Sequence, residues 1–279
     1  MKILISADIE GVAGVFHPEQ TRAGNGEYER ARRWMANEAN AAIEGAFAGG
    51  ATEVWVNDSH GGFRNLLPDQ LDSRVQVVLG KPRTLGMMAG LEFAPALVFM
   101  IGYHAMSQSR GILSHTINSF AFTQLKLNGE AVGEAGLYGA LAEERGARVA
   151  LLSGDDVFAE ETAPRFADAR FVVTKTATGQ ASGVTQTPER ACAAIAAAAR
   201  EVVESHRANG GADEAATGLP APRALECELR VQTTALADLF CQWPTLTRVD
   251  GVTLRFDARC VEYAVRVLNS LSAMSFMLR

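Results

Sequence analysis

Short apolar runs alternate with longer stretches of helical period through the first 207 residues. Residues 2–7 form an apolar run that ends at Asp8-Ile-Glu-Gly11. Tyr28, Trp34, Met35, Ala39, Ala42, Ile43, Ala46 and Phe47 recur at helical spacing, and Gly49-Gly50 stops the helix they predict. Glu53 to Val56 is a β-prone run, followed by the loop chemistry of Asn57-Asp-Ser-His-Gly-Gly62. Residues 75–79 predict another strand, and the continuous apolar run 96–103 predicts one buried on both faces. Strands alternating with helices argue for a mostly parallel sheet covered on both sides.

The pattern then changes. Residues 120–127 alternate apolar with polar, and Asn128-Gly129 signals a hairpin. A helix over 134–145, a strand over 148–152 and a long Ala-rich helix from Thr187-Pro188 to Arg207 follow. Residues 208–223, rich in Gly, Ala and Pro, read as a linker. Beyond it, 225–231 and 252–256 alternate like half-buried strands, and Asp257 is placed to cap a final amphipathic helix to about Met277. The expected fold is a three-layer α/β/α domain with a mostly parallel sheet, made of 1–113 with 134–207. A smaller α+β subdomain, 114–133 with 224–279, joins it.

Composition narrows the partners. Hydrophobic residues are 48% and charged residues 21% of 279, ordinary for a globular protein long enough to bury a core without staples. A net charge of −6, with 26 Lys and Arg scattered along the chain, argues against a nucleic-acid partner. No apolar run reaches the ~18 residues of a membrane span. The N-terminal apolar run meets Asp8 and Glu10 before it attains the roughly 7–15 residues of a secretory signal, so a cytoplasmic protein is expected. Cys192, Cys227, Cys241 and Cys260 form no C-x-x-C, which disfavours a structural zinc site and fits free thiols in a reducing compartment.

The chemistry lies where acids and histidines follow strands. Asp8 and Glu10 follow the first strand, His60 the 53–56 strand and His104 the 96–103 strand, while Glu134 opens a helix. Loops at the carboxyl ends of parallel strands converge on one edge. Taken singly, each residue has an ordinary reading: the acids as turn caps, the histidines as satisfied loop or core residues. Together they offer carboxylate and imidazole ligands suited to Zn²⁺, Mn²⁺ or Co²⁺. Asp8 and Glu10, two apart, would repel unless a cation sat between them. Five ligands exceed what one open catalytic zinc takes and suit two metals sharing a bridging carboxylate. His115 is left as a polar group free to act on a substrate. Gly154-Asp-Asp156 reads as a cap for the segment after it. His17 reads as a solvated loop residue and His206 as a structural one near a helix end.

Ser6-Ala-Asp-Ile-Glu-Gly11, Tyr28-Glu-Arg30, Glu53-Val-Trp-Val-Asn-Asp-Ser-His60, Ile101-Gly-Tyr-His-Ala105, Ser114-His115, Val132-Gly-Glu-Ala-Gly136 and Gly154-Asp-Asp156 stand in the order found in one known family. Over about its first 160 residues the chain resembles the dipeptide transport protein A family, the zinc D-aminopeptidases; the C-terminal quarter is similar in pattern only. The resemblance implies an aminopeptidase with two zincs per chain, acting on short peptides with an N-terminal D-residue such as D-alanine. It implies that Asp8 bridges the zincs, that Glu10 and His104 complete one metal, and that His60 and Glu134 complete the other. His115 matches the family's catalytic residue, described as a nucleophile. A ring-like homo-oligomer, a homodecamer by analogy, is implied as well. The enzymatic rivals are a two-metal phosphoesterase or another amidohydrolase. A phosphoesterase would want a cation near the motifs, and Arg64, Lys81, Arg83 and Arg110 are the candidates. The non-enzymatic rival is a peptide-binding carrier, which would need no metal ligands.

Overall fold

The first apolar run forms strand β1 (Lys2–Ala7) in the interior of a seven-stranded sheet. The structure is a computed structural model that describes residues 1–219 and 221–279. The other strands are β2 (Glu53–Asp58), β3 (Gln76–Val78), β4 (Leu97–Ile101), β5 (Phe122–Leu127), β6 (Glu130–Ala131), β7 (Arg148–Asp155), β8 (Arg170–Gly179), β9 (Ser182–Thr185), β10 (Leu225–Val231), β11 (Thr247–Arg248) and β12 (Thr253–Ala258). The helices are α1 (Gly26–Ala48), α2 (Glu134–Glu144), α3 (Asp156–Thr162), α4 (Pro188–Ala208), α5 (Thr234–Phe240) and α6 (Val261–Met274).

The large sheet has the order β3-β2-β1-β4-β7-β8-β9. All its pairings are parallel except the return of β9 along β8. Side chains alternate across it, as a pleated strand requires. Ile3 and Ile5 of β1 and Leu97 and Phe99 of β4 share a core with Met35, Ala39 and Ile43 of α1 and Ile195, Ala199 and Val203 of α4. Leu4, Val98 and Met100 belong to the opposite core, with Leu137 and Leu141 of α2 and Leu268 and Leu271 of α6. Helices therefore cover both faces of a mostly parallel sheet, as the alternation predicts.

A second sheet, β11-β12-β10-β5-β6, is antiparallel. Its buried residues Phe122, Leu125, Cys227, Leu229, Leu254 and Phe256 join the core that holds α2 and α6. The Asn128-Gly129 turn takes positive φ at both positions (50° and 86°), the geometry that a tight hairpin demands.

The structure differs from expectation in several elements, the short strand β11 among them. The β8–β9 hairpin, α3 and α5 are additional, although Val172, Val173, Thr174 and Thr176 give β8 a β-branched composition. The last helix is capped by Cys260, whose Sγ accepts from the Tyr263 amide at 3.4 Å, and not by Asp257. Asp257 is still in β12, because pairing with β10 continues to Leu225↔Ala258. Position 220 of the expected linker lies outside the described residues. Earlier in that stretch, the Lys2 amide donates to Asp213 O and the Ala215 amide to Ala94 O, so this part lies against the sheet.

Candidate metal centre

Strand order reverses beside β1, with β2 and β3 on one side and β4 on the other, so a crevice opens at the carboxyl ends of these strands. Asp8 and Glu10 enter it from β1, His60 from β2 and His104 from β4. The loops touch backbone to backbone: the Asp8 amide donates to Ile101 O and the Gly11 amide to Gly102 O, both at 2.8 Å. Only glycine permits this approach. A Cβ on Gly11 would stand 1.9 Å from Tyr103 O, and one on Gly102 (φ +72°) 2.4 Å from Asp8 O. Beneath the loops, Ser6 Oγ donates to Met87 O at 2.7 Å and shares hydrogen bonds with Ser59 Oγ (2.6 Å) and Tyr103 Oη (2.7 Å). This network ties the three strand ends together.

The five expected ligands and His115 are brought to one place. His60 Nδ1 lies 3.0 Å from Glu10 Oε2 and 3.4 Å from Asp8 Oδ1. Its Nε2–H donates to Thr21 O at 2.8 Å, which leaves Nδ1 as the free nitrogen facing the acids. His104 uses its Nδ1–H on Ala105 O at 2.9 Å, which aims Nε2 at Asp8 Oδ2 (3.5 Å) and Glu134 Oε2 (3.4 Å). The ring of His115 stacks on that of His104 with centroids 4.0 Å apart, and His115 Nε2 lies 3.6 Å from Glu134 Oε1. His115 is oriented by Nδ1–H donating to Leu113 O at 3.0 Å. His60 thus sits with Glu10, and His104 with Glu134; the grouping implied by the resemblance pairs them the other way, with Asp8 common to both.

The electrostatics are those of acids packed without enough positive charge. Burial, then the neighbouring Glu10 charge, pushes the Asp8 carboxyl up to about 8. Burial also works against Glu10, but the charge and hydrogen bond of His60 outweigh it and hold Glu10 well below the usual range. Burial opposes protonation of His104, yet Glu134 and Asp8 drive it up to about 10. Burial and the adjacent His104 lower His115. Protons thus supply the positive charge that divalent cations would replace. Glu10 Oε2 and His104 Nε2 are buried without a well-directed hydrogen-bond partner. Two overlapping ligand groups, Asp8-Glu10-His104 and His104-His115-Glu134, each converge within 4.8 Å. Oxygen and imidazole donors with these free atoms fit Zn²⁺.

The site opens onto a cavity of about 420 Å³ lined by Asp8, His60, His115 and Glu134. Its apolar wall is Phe63, Met87, Ile117 and Tyr138, with Lys81 and Arg83 on the β2 side and Asn269, Ser272 and Phe276 from the chain's last segment. A second, polar cavity of about 430 Å³ also reaches His115, between Ser109, Arg110, Gln180 and Gln232.

Two buried charges support the site without being legible as site residues. Lys175 Nζ donates to Glu10 O (2.5 Å) and Val15 O (2.7 Å), bracing the loop after β1. Burial brings this ammonium down to about 8. Glu38 Oε1 accepts from the Ala13 amide at 2.8 Å in the same loop, and burial pushes its carboxyl up to about 7. The other expectations take simple forms. Asp155 Oδ1 caps α3 by accepting from the Phe158 amide at 2.8 Å, and its Oδ2 accepts from the Ile112 amide at 2.6 Å. His17 caps a short turn through the Glu19 amide, and His206 hydrogen-bonds Ala212 O at 2.9 Å.

Comparison with known proteins gives concordant findings. Residues 1–270 match the model of the M55 peptidase family, described as D-aminopeptidase. Over 161 residues, 58% of the chain, the sequence is 35% identical to the D-aminopeptidase of Bacillus subtilis (strain 168), and the matched stretch spans 58% of that relative's own length. The fold is similar to the solved structure described as the Zn-dependent D-aminopeptidase DppA from Bacillus subtilis, a self-compartmentalizing protease. That likeness has a TM-score of 0.87 at 25% identity and covers 99% of this chain and 98% of that one.

Proposed function

The chain belongs to the M55 family of D-aminopeptidases, and from that membership we propose that it is a zinc-dependent aminopeptidase that removes an N-terminal D-residue, of the D-alanyl type, from short peptides. The observation that carries this reading is the convergence of Asp8, Glu10, His60, His104 and Glu134 beside a cavity that His115 also faces. We propose two zincs per chain, which Asp8, Glu10, His60, His104 and Glu134 would hold. The convergence of Asp8, Glu10 and His104 supports one set. His60 and Glu134 would complete the other with Asp8 shared, although in the structure His60 approaches Glu10 and His104 approaches Glu134. Bound zinc supplies Lewis acidity, making water nucleophilic near neutral pH and polarising the scissile carbonyl.

The chain's own residues do the rest. Thr21 O and Ala105 O fix the His60 and His104 rings, so that the nitrogens facing the acids remain available as donors to a metal. His115, oriented by Leu113 O, presents Nε2 toward Glu134, where it would take the proton lost by the attacking water and pass it to the leaving amine nitrogen as the C–N bond breaks. This proton role is preferred over an acyl-imidazole, because an activated water leaves no need for a second nucleophile. The apolar wall of Phe63, Met87 and Tyr138 excludes water from one side of the cavity. Likeness to the self-compartmentalizing relative supports a proposed homo-oligomer. Its being a ring-like homodecamer is proposed from the family resemblance, and a cytoplasmic location from the short N-terminal apolar run. The sequence division into 1–113 with 134–207 and 114–133 with 224–279 is kept as a proposal, supported by the two sheets.

A two-metal phosphoesterase would use the same ligands, and Lys81 and Arg83 in the cavity wall suit a phosphate. One preparation tests both readings. The protein is purified without chelator, its metals are counted, and matched D-Ala and L-Ala dipeptides are assayed beside p-nitrophenyl phosphate. Two zincs with D-selective release of the N-terminal residue are expected. Two metals with phosphoester hydrolysis and no peptide cleavage would overturn the peptidase reading.

A further inference from the structure

Two cations line the cavity without a counter-ion. Lys81 and Arg83 lie over the face of Phe63, with Lys81 Nζ 4.6 Å and the Arg83 guanidinium carbon 3.8 Å from the ring centroid. Among the described residues, no carboxylate comes within salt-bridge distance of either, and burial lowers both from their ordinary values. Arg83 is fixed by backbone and amide oxygens: it donates to Val78 O at 3.2 Å, to Asp58 O at 2.6 Å and to Asn57 Oδ1. Its Nε is buried and has no partner. Lys81, by contrast, is a more exposed residue at the rim, with its ammonium over Phe63.

We propose that Lys81, backed by the fixed charge of Arg83, binds the free C-terminal carboxylate of a short peptide whose N-terminal residue lies at the metal centre. The cavity is lined by acids and histidines and also by these cations, and its roughly 420 Å³ admits a ligand of only a few residues. A dipeptide carries the complementary pair of charges at its two ends. A lysine pairs with a carboxylate as a mobile point charge, and the apolar Phe63 and Met87 walls reduce the competing hydration. The site therefore selects short peptides with an unblocked C-terminus over amides and long chains. This inference rests on the peptidase reading, because it assumes a peptide in the cavity.

The test measures binding of D-alanyl-D-alanine and of its C-terminal amide by calorimetry, on zinc-loaded protein carrying His115→Ala to prevent turnover. The free acid is expected to bind about tenfold more tightly than the amide. Adding Lys81→Met should bring that ratio to within about twofold of unity, while Lys81→Arg should keep most of it. A ratio near one in the Lys81 parent, or a ratio that Lys81→Met leaves intact, overturns the proposal. The unmodified chain is assayed in parallel. D-selective cleavage with a flat ratio removes the carboxylate site and leaves the peptidase reading. A Lys81-dependent ratio without cleavage does the reverse, and binding of neither peptide removes both.

Discussion

Glu38 should make the protein progressively less stable as pH rises, and Glu38→Gln should remove that dependence. The carboxyl is wholly buried in α1, with Oε1 accepting from the Ala13 amide at 2.8 Å and Oε2 unpartnered. Burial raises it from 4.5 to about 7 in the folded chain. Below 4.5 both the folded and the unfolded chain hold the proton, and there is no penalty. Between 4.5 and about 7 the unfolded chain releases the proton while the folded chain keeps it, so stability falls by about 1.4 kcal/mol per pH unit. The full loss is on the order of 3 kcal/mol and is complete above about 7. Glutamine keeps the acceptor for Ala13 but puts an unpartnered NH₂ where Oε2 stood, at a cost of roughly 1–3 kcal/mol at every pH. The variant should therefore be less stable than the parent near pH 4.5 and should overtake it, or draw level, by pH 7.5. The assay is urea unfolding of both proteins across that range, with chelator and protein concentration held constant and m-values compared. A stability difference that moves by less than about 1 kcal/mol over the range would refute the reasoning.

His115→Ala should keep its zinc and lose roughly 10²–10⁴-fold in kcat, checked by metal analysis beside a D-alanyl dipeptide assay. Gly11→Ala should lower stability by about 1–3 kcal/mol or more and strip metal, since its Cβ would stand 1.9 Å from Tyr103 O; an unchanged metal content would show that the loop approach is unimportant. Chelation should abolish activity, and returning zinc to weakly buffered protein at pH 7 should release protons, because His60 and His104 are held protonated without it. A pH indicator reads that release, and zinc uptake with no acidification would contradict the charge balance described for the site.

The convergence of the candidate ligands was legible because their residue types are chemically conspicuous where they stand. Asp8, Glu10, His60 and His104 interrupt apolar strands at loops rich in Gly and Ser, and the parallel topology inferred from alternation brings such loops together. Lys175 and Glu38 gave no such signal. A lysine in a Thr-rich strand and a glutamate in a helix read as solvated charges, and only the packing of α1 and β8 around the loop after β1 buries them. Asn269 and Phe276 escaped for a different reason, and Lys81 and Arg83 stood out only as cations that a phosphate would want. Sequence separation hides a cavity wall assembled from a loop near residue 80 and a segment near residue 270. The final helix also starts later than its expected cap, because strand pairing carries β12 past Asp257.

All five expected ligands and His115 lie between residues 8 and 134, whereas Asn269, Ser272 and Phe276, which close the cavity opposite them, belong to the last few turns of the chain. The candidate ligands and one part of the cavity lining are therefore encoded in different halves of the sequence, while Phe63, Lys81 and Arg83 line the cavity from the same half as the ligands. A library confined to codons 269–276 would vary what is admitted while leaving untouched what cuts. Substitutions at Asn269, Ser272 and Phe276 should accordingly alter what the cavity admits before they disturb the ligand cluster, whereas Leu268 and Leu271 of α6 belong to the core.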